Sequence, residues 1–315
     1  MKTCPLCHSQ PLQLALTAPD YRFGGRGQHQ VWRCLHCGLG VTLPPLSGPE
    51  LAAAYPADYE PYQPKNRQPS VFHQRLAATL LRTYGYDQPA AFSLPAFLAR
   101  PLAHIRGWVW SPPPAPPGRL LDVGCGSGVY GARLISLGWR VDGIEPDPVA
   151  AERARKAGLQ VQTCSLLDAE LPAASYDAIT LWHTLEHLDD PVAALHRLRP
   201  ALAADGVLLL EVPNWSGMVA RRTGPYWFHL DLPRHRLHFT PASLALALEQ
   251  AGFRIVRLQH IPNPHGLAGA IAYRRNRKRT RPALALGWLI GILAALCKRS
   301  DVIRVLAEGN KTGRN

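Results

Sequence analysis

The chain has 315 residues, of which 47% are hydrophobic and 18% are charged, with a formal net charge of +13 at pH 7. This length and composition are typical of a globular protein with one large domain and additions, and they exclude a disordered or fibrous chain. The net charge would suit nucleic acid or an anionic membrane surface, but six of the basic residues lie within residues 274–281, so a general nucleic-acid-binding surface is less well supported.

The N-terminal segment, residues 1–45, carries two cysteine pairs. CPLC contains Cys4 and Cys7, and CLHC contains Cys34 and Cys37, with 26 residues between the pairs. The segment is too poor in apolar residues to form its own core, and four thiolates in a tetrahedron suit Zn²⁺, which would supply the missing folding energy. We therefore predict a zinc-binding ribbon with a structural zinc ion, against the alternatives of a redox role or no metal.

The first residues reach a cysteine and a proline before any apolar run could form, which predicts a chain without a signal peptide that stays in the cytoplasm. Residues 46–116 follow as a connector and helical segment. Helical apolar spacing covers residues 71–110, and the run SPPPAPPG at 111–118 forbids a helix and should form a stiff lead-in.

From residue 117 the pattern alternates between short apolar runs and helical periods, which indicates a parallel β-sheet covered by helices on both faces. The predicted strands are RLLDVG, RVDGIEP, LQVQTC, YDAITLW, GVLLLEVP, FRIVRLQHI and SDVIRVLAEG. The predicted helices are VYGARLISLG, DPVAAERARKAG, DPVAALHRLRPAL and FTPASLALALEQAG. We expect one α/β domain over residues 117–315.

The stretch RLLDVGCGSGVYG, residues 119–131, ends the first of these strands in a glycine-rich turn. Such a turn presents backbone N–H groups to a ligand, and an acid at the end of the second strand, here Glu145, would bind ribose hydroxyls. Read as G-x-G-x-x-G, the turn is the fingerprint of a dinucleotide; read as D-x-G-x-G-x-G, it starts at Asp122. Three features favour the D-x-G-x-G-x-G pattern over the dinucleotide fingerprint. They are Asp122, Asp168 after the third strand, and the aromatic and imidazole groups of WHTLEHLDDP.

Residues 117–308 resemble a class I S-adenosylmethionine-dependent methyltransferase through the combination of LDVGCGSG, GIEPD, SYDAITL, LEHLDDP and GVLLLEVPN. They are most similar to the branch that includes the ubiquinone-pathway O-methyltransferases and many methyltransferases of glycan and natural-product pathways. The resemblance implies a Rossmann-like, seven-stranded α/β sheet with a final antiparallel strand, for which SDVIRVLAEG is the candidate. A nicotinamide-dependent oxidoreductase is the alternative from another class.

The same resemblance assigns the residues that would bind S-adenosylmethionine. They are Asp122, Gly124, Gly126, Gly128, Glu145, Asp168 and Trp182. Asp122 would bear on the cationic amino-acid portion, Glu145 on the ribose and Asp168 on the adenine. Trp182 would lie against the adenine or the sulfonium, because a cation prefers an aromatic face; simple core packing is the alternative for this side chain.

The sequence HTLEH, residues 183–187, matches the H-x-x-E-H pattern of some zinc proteases, but that motif needs a helix and His183 directly follows a predicted strand. The ubiquinone-pathway branch carries a metal-associated E-x-x-E-H at this place. Glu186 and His187 match it, whereas His183 replaces the first acid. The sequence therefore leaves open whether a divalent metal binds at His183, Glu186 and His187.

An acceptor hydroxyl would be activated by a general base with a pKa near neutrality, for which histidine is the natural candidate. We predict His183 and His235 for this role. His183 should project from the end of the fourth strand, and His235 belongs to WFHLDLPRHRLHF, residues 227–239, which should form an active-site lid. A structural role, such as bonding a loop carbonyl, is the alternative for each.

An insertion at 262–299 separates the last two predicted strands, where the family often has a short turn. It joins the basic cluster to the apolar run ALALGWLIGILAALC, which Lys298 and Arg299 follow. About 20 residues are needed to cross a bilayer, so peripheral attachment to anionic lipid suits this segment better. We predict membrane contact through residues 274–299 on the ligand side of the sheet; a core or dimer helix is the alternative.

These features together predict an S-adenosylmethionine-dependent methyltransferase with an N-terminal zinc ribbon, cytoplasmic and peripheral at the inner face of the membrane. The predicted reaction is O-methylation of a glycan, a lipid-linked sugar or a related metabolite. RNA methylation is the main alternative within the class, since zinc knuckles also occur in ribosomal RNA methyltransferases. The spacing and histidine of that RNA module do not match this chain.

Overall fold

The computed structural model describes residues 3–25, 27–56, 59, 78–79, 81–82, 86 and 112–310. The helices expected within residues 71–110 lie almost entirely outside this part of the chain. The strands are β1 Leu12–Ala18, β2 His29–Cys34, β3 Gly40–Leu43, β4 Arg119–Val123, β5 Arg140–Ile144, β6 Gln160–Gln162, β7 Tyr176–Trp182, β8 Leu202–Pro213, β9 Leu237–His238, β10 Phe253–Ile261 and β11 Val302–Gly309.

The helices follow the strands in the alternation that the sequence predicts. They are α1 Gly48–Ala53, α2 Val129–Ile135, α3 Pro148–Lys156, α4 Pro191–Leu198, α5 Met218–Thr223, α6 Pro241–Gln250, α7 His265–Arg274 and α8 Arg281–Leu296. Their first turns are defined by capping: Asp147 and Asp190 accept hydrogen bonds from the first backbone N–H groups of α3 and α4, and Thr240 with Ser243 forms a capping box on α6.

Seven strands form the central sheet in the order β10-β11-β8-β7-β4-β5-β6. Strands β4 to β8 run parallel, whereas β11 is antiparallel to both of its neighbours. The predicted seven-stranded α/β sheet with a final antiparallel strand is therefore confirmed. The chain leaves β4 toward β5 and β6 and later returns to β7 on the other side, so ligands are expected at the carboxyl ends of β4 and β7.

The N-terminal segment shares a sheet with the α/β part of the chain, an arrangement that the sequence alone does not predict. The order is β1-β2-β3-β9, and Gly40 pairs with His238 in the contact between β3 and β9. A Cβ at Gly40 would lie 2.9 Å from the Cβ of His238 and 3.2 Å from the ring of Trp215, so only glycine fits this approach. Buried Leu6 and Leu39 join the same hydrophobic cluster as the central strands.

The insertion between β10 and β11 forms α7 and α8, which pack against each other. Helix α7 also contacts the 3-10 turn Phe228–Leu230, so the insertion lies beside the segment expected to form a lid. Among the described helices, none combines the length and the apolar character that crossing a membrane requires.

Candidate functional site

The loop after β4 turns through glycines in the left-handed backbone region. Gly124, Gly126 and Gly128 have φ values of 71°, 53° and 76°, where side chains are strained. A Cβ at Gly124 would lie 2.6 Å from Oγ1 of Thr184, and Gly128 is the N-cap of α2. The loop therefore brings the N-terminus of α2 to the carboxyl edge of the sheet, where backbone N–H groups can bind a polar ligand.

Glu145 lies directly after β5 and connects this strand to the glycine loop. Its Oε2 accepts a hydrogen bond from the Gly126 N–H at 2.8 Å, and its Oε1 accepts one from the Asp147 N–H at 3.0 Å. Burial raises the pKa of this carboxyl group. Each carboxylate oxygen has a second lone pair, so the same side chain can fix the loop and accept ribose hydroxyls.

Asp122 lies inside β4 and is 3% exposed. Burial and the neighbouring Glu145 carboxylate raise its pKa to about 7, although a hydrogen bond from Thr180 Oγ1 at 2.8 Å opposes the rise. A cationic ligand group nearby would favour the ionised form of this carboxyl group. The predicted role of Asp122 toward the amino-acid portion of the cofactor is compatible with this environment.

Asp168 follows β6 and Trp182 ends β7, and in the sheet these two strands lie on either side of the pair β4 and β5. Asp168 is exposed after β6, where Ser165 Oγ donates to it at 2.5 Å. Trp182 ends β7, with the ring of Tyr130 edge-on at a centroid distance of 5.1 Å and the Arg304 guanidinium 4.8 Å from its own ring centroid. One cation therefore already lies over the indole.

His183 follows β7 with a φ of 52°, and its two ring nitrogens both contact carboxylates. Nδ1 lies 3.1 Å from Glu186 Oε1 and Nε2 lies 3.1 Å from Glu211 Oε1. Burial alone would lower the pKa of His183, but these two hydrogen bonds raise it to about 10. Because carboxylates only accept, both nitrogens carry protons, which argues against the prediction that His183 is a general base.

The H-x-x-E-H sequence does not form one helix, as expected. His183 lies in a left-handed conformation after the strand, and only Leu185–His187 form a 3-10 turn. The metal-binding set suggested by the sequence also changes. Nitrogen and oxygen atoms of Glu186, His187 and His235 lie within 4.8 Å of one another, and His183 does not belong to this group.

The two histidines of this group each present a lone pair. His235 Nδ1 lies 2.9 Å from the His229 carbonyl oxygen. His187 Nδ1 lies 3.1 Å from the Arg234 carbonyl oxygen and 2.9 Å from the Tyr55 hydroxyl. Carbonyl oxygens only accept, and a hydroxyl can accept as well, so each Nδ1 carries the proton. Burial lowers the pKa of both rings, which leaves a lone pair on each Nε2.

Glu186 completes the group with a carboxylate oxygen that lacks a partner. The side chain is fully buried, and Oε2 has no hydrogen bond within the described residues. Backbone carbonyls that orient the Nδ1–H of metal-binding histidines are a common supporting arrangement. Two imidazole nitrogens and one carboxylate therefore fit a divalent metal ion with open positions for a ligand.

The segment that carries His235 is fixed by the N-terminal segment. Arg234 is fully buried and donates to Asp20 at 2.8 Å and to Asp231 at 2.8 Å, and Arg22 donates to Asp231 at 2.9 Å. Thr42 Oγ1 donates to the His235 carbonyl oxygen at 2.7 Å. The sequence alone does not reveal these residues, because only the fold brings positions near 20 and 40 beside position 234.

The four predicted zinc ligands come together. The sulfur atoms of Cys4 and Cys37 are 3.6 Å apart, those of Cys7 and Cys34 are 3.5 Å apart, and all four lie within 4.8 Å of one another. Tetrahedral zinc with a Zn–S distance of about 2.3 Å requires sulfur–sulfur distances of about 3.8 Å. The side chains therefore fit a zinc ion without rearrangement of the backbone.

Three features define an α/β domain of the class I methyltransferase type. They are the strand order, the glycine loop at the switch point between β4 and β7, and the acid after β5. The chain belongs to the family described as the methyltransferase domain, whose model matches residues 94–258. This match covers just over half of the chain.

The curated relatives are methyltransferases. Ubiquinone biosynthesis O-methyltransferases of Xanthomonas axonopodis pv. citri and Xanthomonas campestris pv. campestris are 32% and 36% identical over 151 and 154 residues, covering 44% of this chain and 63% and 64% of those proteins. A probable S-adenosylmethionine-dependent methyltransferase of Mycolicibacterium smegmatis is 32% identical over 152 residues, covering 47% of this chain and 57% of that protein. The chain thus spans less than two thirds of the length of these relatives.

A solved structure of an S-adenosylmethionine-dependent methyltransferase from Mesorhizobium loti has a TM-score of 0.46 and 21% sequence identity to this chain. It covers 61% of this chain and 91% of its own.

Proposed function

We propose that this chain is an S-adenosylmethionine-dependent methyltransferase that methylates an oxygen atom of a glycan, a lipid-linked sugar or a related metabolite. Membership of the methyltransferase-domain family supports the methyl transfer. The O-methyltransferases among its relatives support oxygen as the accepting atom. The observation that carries the proposal is the largely buried group formed by Glu186, His187 and His235. Glu186 and His187 lie just after Thr184, the residue whose side chain approaches Gly124 of the glycine loop.

The cofactor would lie over the glycine loop at the carboxyl ends of β4 and β5. Glu145 accepts the ribose hydroxyls, Asp122 favours the cationic amino group, and Asp168 lies in the loop where an adenine edge would be read. The C–S electron pair stays with the sulfur when the methyl group moves in line to the acceptor oxygen, and the acceptor hydroxyl releases its proton to solvent. The chain's main contribution is the alignment of the two reactants and the exclusion of water.

Glu186 and the Nε2 atoms of His187 and His235 would hold a divalent ion. Such an ion would act as a Lewis acid toward the acceptor hydroxyl and lower its pKa. The chain's own residues fix this arrangement, since backbone carbonyls orient both histidines and the His183 imidazolium holds Glu186 Oε1. Arg304 and Glu211 in turn fix the ring of His183.

A structural zinc ion at Cys4, Cys7, Cys34 and Cys37 is part of the proposal. Burial raises the pKa of the Cys4 thiol to about 11, so a cation among the sulfurs is needed to hold this group as a thiolate. The zinc would stabilise the turns around both cysteine pairs and, through β3, the position of the segment that carries His235.

The test of the acceptor class is transfer of a labelled methyl group. Purified chain is incubated with methyl-labelled S-adenosylmethionine and a host extract, which is then separated into lipid, polysaccharide, small-molecule and RNA fractions. We expect label in the lipid, glycan or small-molecule fractions, reduced about 100-fold or more with His235→Ala and unchanged with His196→Ala, an exposed histidine on α4. Ribonuclease-sensitive label would contradict the proposed acceptor and assign RNA.

A further inference from the structure

Helix α8 buries its small apolar residues and exposes its large ones, which is the reverse of an ordinary surface helix. Its buried residues are Gly287, Gly291 and Ala294. Its large side chains are exposed: Leu286 by 46%, Leu289 by 57%, Leu293 by 47% and Leu296 by 72%. These leucines recur at intervals of three and four residues, so they form one continuous face of the helix.

The small residues are required where they are. A Cβ at Gly287 would lie 2.2 Å from the Pro264 carbonyl oxygen, and one at Gly291 would lie 2.9 Å from the Asn263 backbone nitrogen. The helix therefore packs closely against the chain after β10 on its glycine side. Rotation of the helix to bury the leucines would lose this contact, so the exposed leucines are a fixed feature of the fold.

Basic residues flank the exposed leucines at both ends. Residues 262–300 contain eight Lys or Arg and no Asp or Glu. Five of these charges precede α8, Arg281 is its first residue, and Lys298 and Arg299 follow it. Each of the eight basic side chains lies on the surface, and none forms an ion pair with a carboxylate of the described residues.

A basic pocket adjoins the end of the leucine face. It has a volume of about 240 Å³, and Lys298, Arg299, Arg221 and Arg222 line it together with polar Asn214 and Ser216. Among the residues that the structure describes, no carboxylate lines this pocket. An anionic group of the size of a phosphate ester is the ligand chemistry that four converging cations favour.

We propose that the exposed face of α8, with the basic residues on both sides, docks this chain on an anionic phospholipid bilayer. The leucines enter the boundary between headgroups and acyl chains, and the pocket at Lys298 and Arg299 receives a phosphate headgroup. The helix has 16 residues and a length of about 24 Å, so it lies along the surface and does not cross the bilayer.

This docking would place the lid segment near the lipid. Arg279 lies 4.8 Å from the ring centroid of Phe228, and Tyr273 of α7 stacks on the same ring at 5.9 Å. The next residue, His229, lies parallel to the His183 ring at 6.2 Å. The basic cluster before α8 and helix α7 are thus connected to the candidate site through a few side chains. The docking itself is independent of the proposed function, whereas delivery of a lipid-linked acceptor rests on it.

Flotation of the full chain with lipid vesicles tests the docking. We expect binding to vesicles of phosphatidylglycerol that weakens with salt and is absent with phosphatidylcholine alone. Leu289→Ser with Leu293→Ser should weaken the binding roughly tenfold, whereas Leu14→Ser, an equally exposed leucine on β1, should leave it unchanged. Lys298→Gln with Arg299→Gln should weaken it roughly fivefold per charge; Arg140→Gln with Lys156→Gln, at the opposite edge of the sheet, is the matched control.

Three results would overturn the proposal. The first is no binding to the anionic vesicles by folded chain that still binds S-adenosylmethionine, which separates this failure from failure of the proposed function. The second is RNA binding that the lysine and arginine changes abolish and the leucine changes leave intact, without vesicle binding. The third is a dimer in sedimentation velocity that the leucine changes convert to monomer, without vesicle binding, which would assign the face to a second copy.

Discussion

At the scale of single residues, hydrogen-bond direction decides which histidines can act in the candidate site. His183 donates from both nitrogens to carboxylates, whereas His187 and His235 donate Nδ1–H to carbonyl oxygens and keep a lone pair at Nε2. The sequence could predict that histidines gather here, because His183 and His187 follow β7 in one motif and His235 belongs to the segment expected to form a lid. It could not predict their protonation, which depends on contacts with Glu211 and with the His229 backbone.

His187→Ala and His235→Ala should each lower turnover about 100-fold or more and lower the content of bound divalent metal, because each removes one ligand. Steady-state turnover and elemental analysis of the purified variants measure both effects. His196→Ala is the control. Full metal content with normal turnover in either site variant would contradict the assigned ligand set.

The raised pKa of Asp122 predicts that the stability of the folded chain depends on pH. Its pKa is about 7 in the folded chain and near 3.8 when unfolded, so the folded state holds the proton more tightly. The unfolded state then gains relative stability as the pH rises from 4 to 7. Asp122→Asn removes this effect. The free energy of unfolding of the variant minus that of the unchanged chain should therefore increase by about 2–3 kcal/mol from pH 5 to pH 8. Denaturant unfolding at several pH values measures it; a pH-independent difference would contradict the raised pKa.

At the scale of elements, periodicity and turn residues were sufficient for the central sheet and insufficient for the N-terminal one. The seven strands of the central sheet appear in the predicted order because all but the short edge strand β6 have a buried apolar run and a clear end. The short elements α5 and β9 were not predicted. The pairing of β3 with β9 joins short strands that are about 200 residues apart in sequence, and nothing local in Gly40 or His238 specifies it. The cysteine cluster could be predicted because two C-x-x-C turns have few alternative uses, and the structure is compatible with it.

Asp20→Ala should destabilise the chain by about 3–5 kcal/mol, because it leaves the fully buried Arg234 without one of its two carboxylates. It should also reduce turnover, since Arg234 adjoins His235. Glu308→Ala removes an exposed ion pair with Arg254 and is the control, with an expected loss below about 1 kcal/mol. Equal losses in the two variants by denaturant unfolding would contradict the buried network.

Cys4→Ser should lower the zinc content well below one ion per chain and lower the melting temperature, because the N-terminal segment depends on the metal for its fold. Cys297→Ser, at an exposed thiol, should leave both unchanged. Metal analysis and thermal denaturation of chain purified without chelator measure both quantities. An unchanged melting temperature in the Cys4→Ser variant would indicate that the cysteines bind no structural metal.

At the scale of the whole molecule, three parts of the sequence converge on one edge of the sheet. The glycine loop and Glu145 form the cofactor side, the N-terminal segment fixes the segment with His235, and α7 contacts the 3-10 turn beside it. The family could be predicted from the loop and strand pattern alone. The convergence could not, because it depends on packing between parts that are far apart in the chain.

The central claim is that the loop after β4 binds S-adenosylmethionine, and calorimetric titration with S-adenosylhomocysteine, its stable product, tests it most directly. We predict one site per chain, lost in Glu145→Ala and kept in Glu152→Ala, an exposed acid on α3. Folded chain that binds NAD⁺ at this site, or that binds neither S-adenosylhomocysteine nor S-adenosylmethionine, would contradict the account.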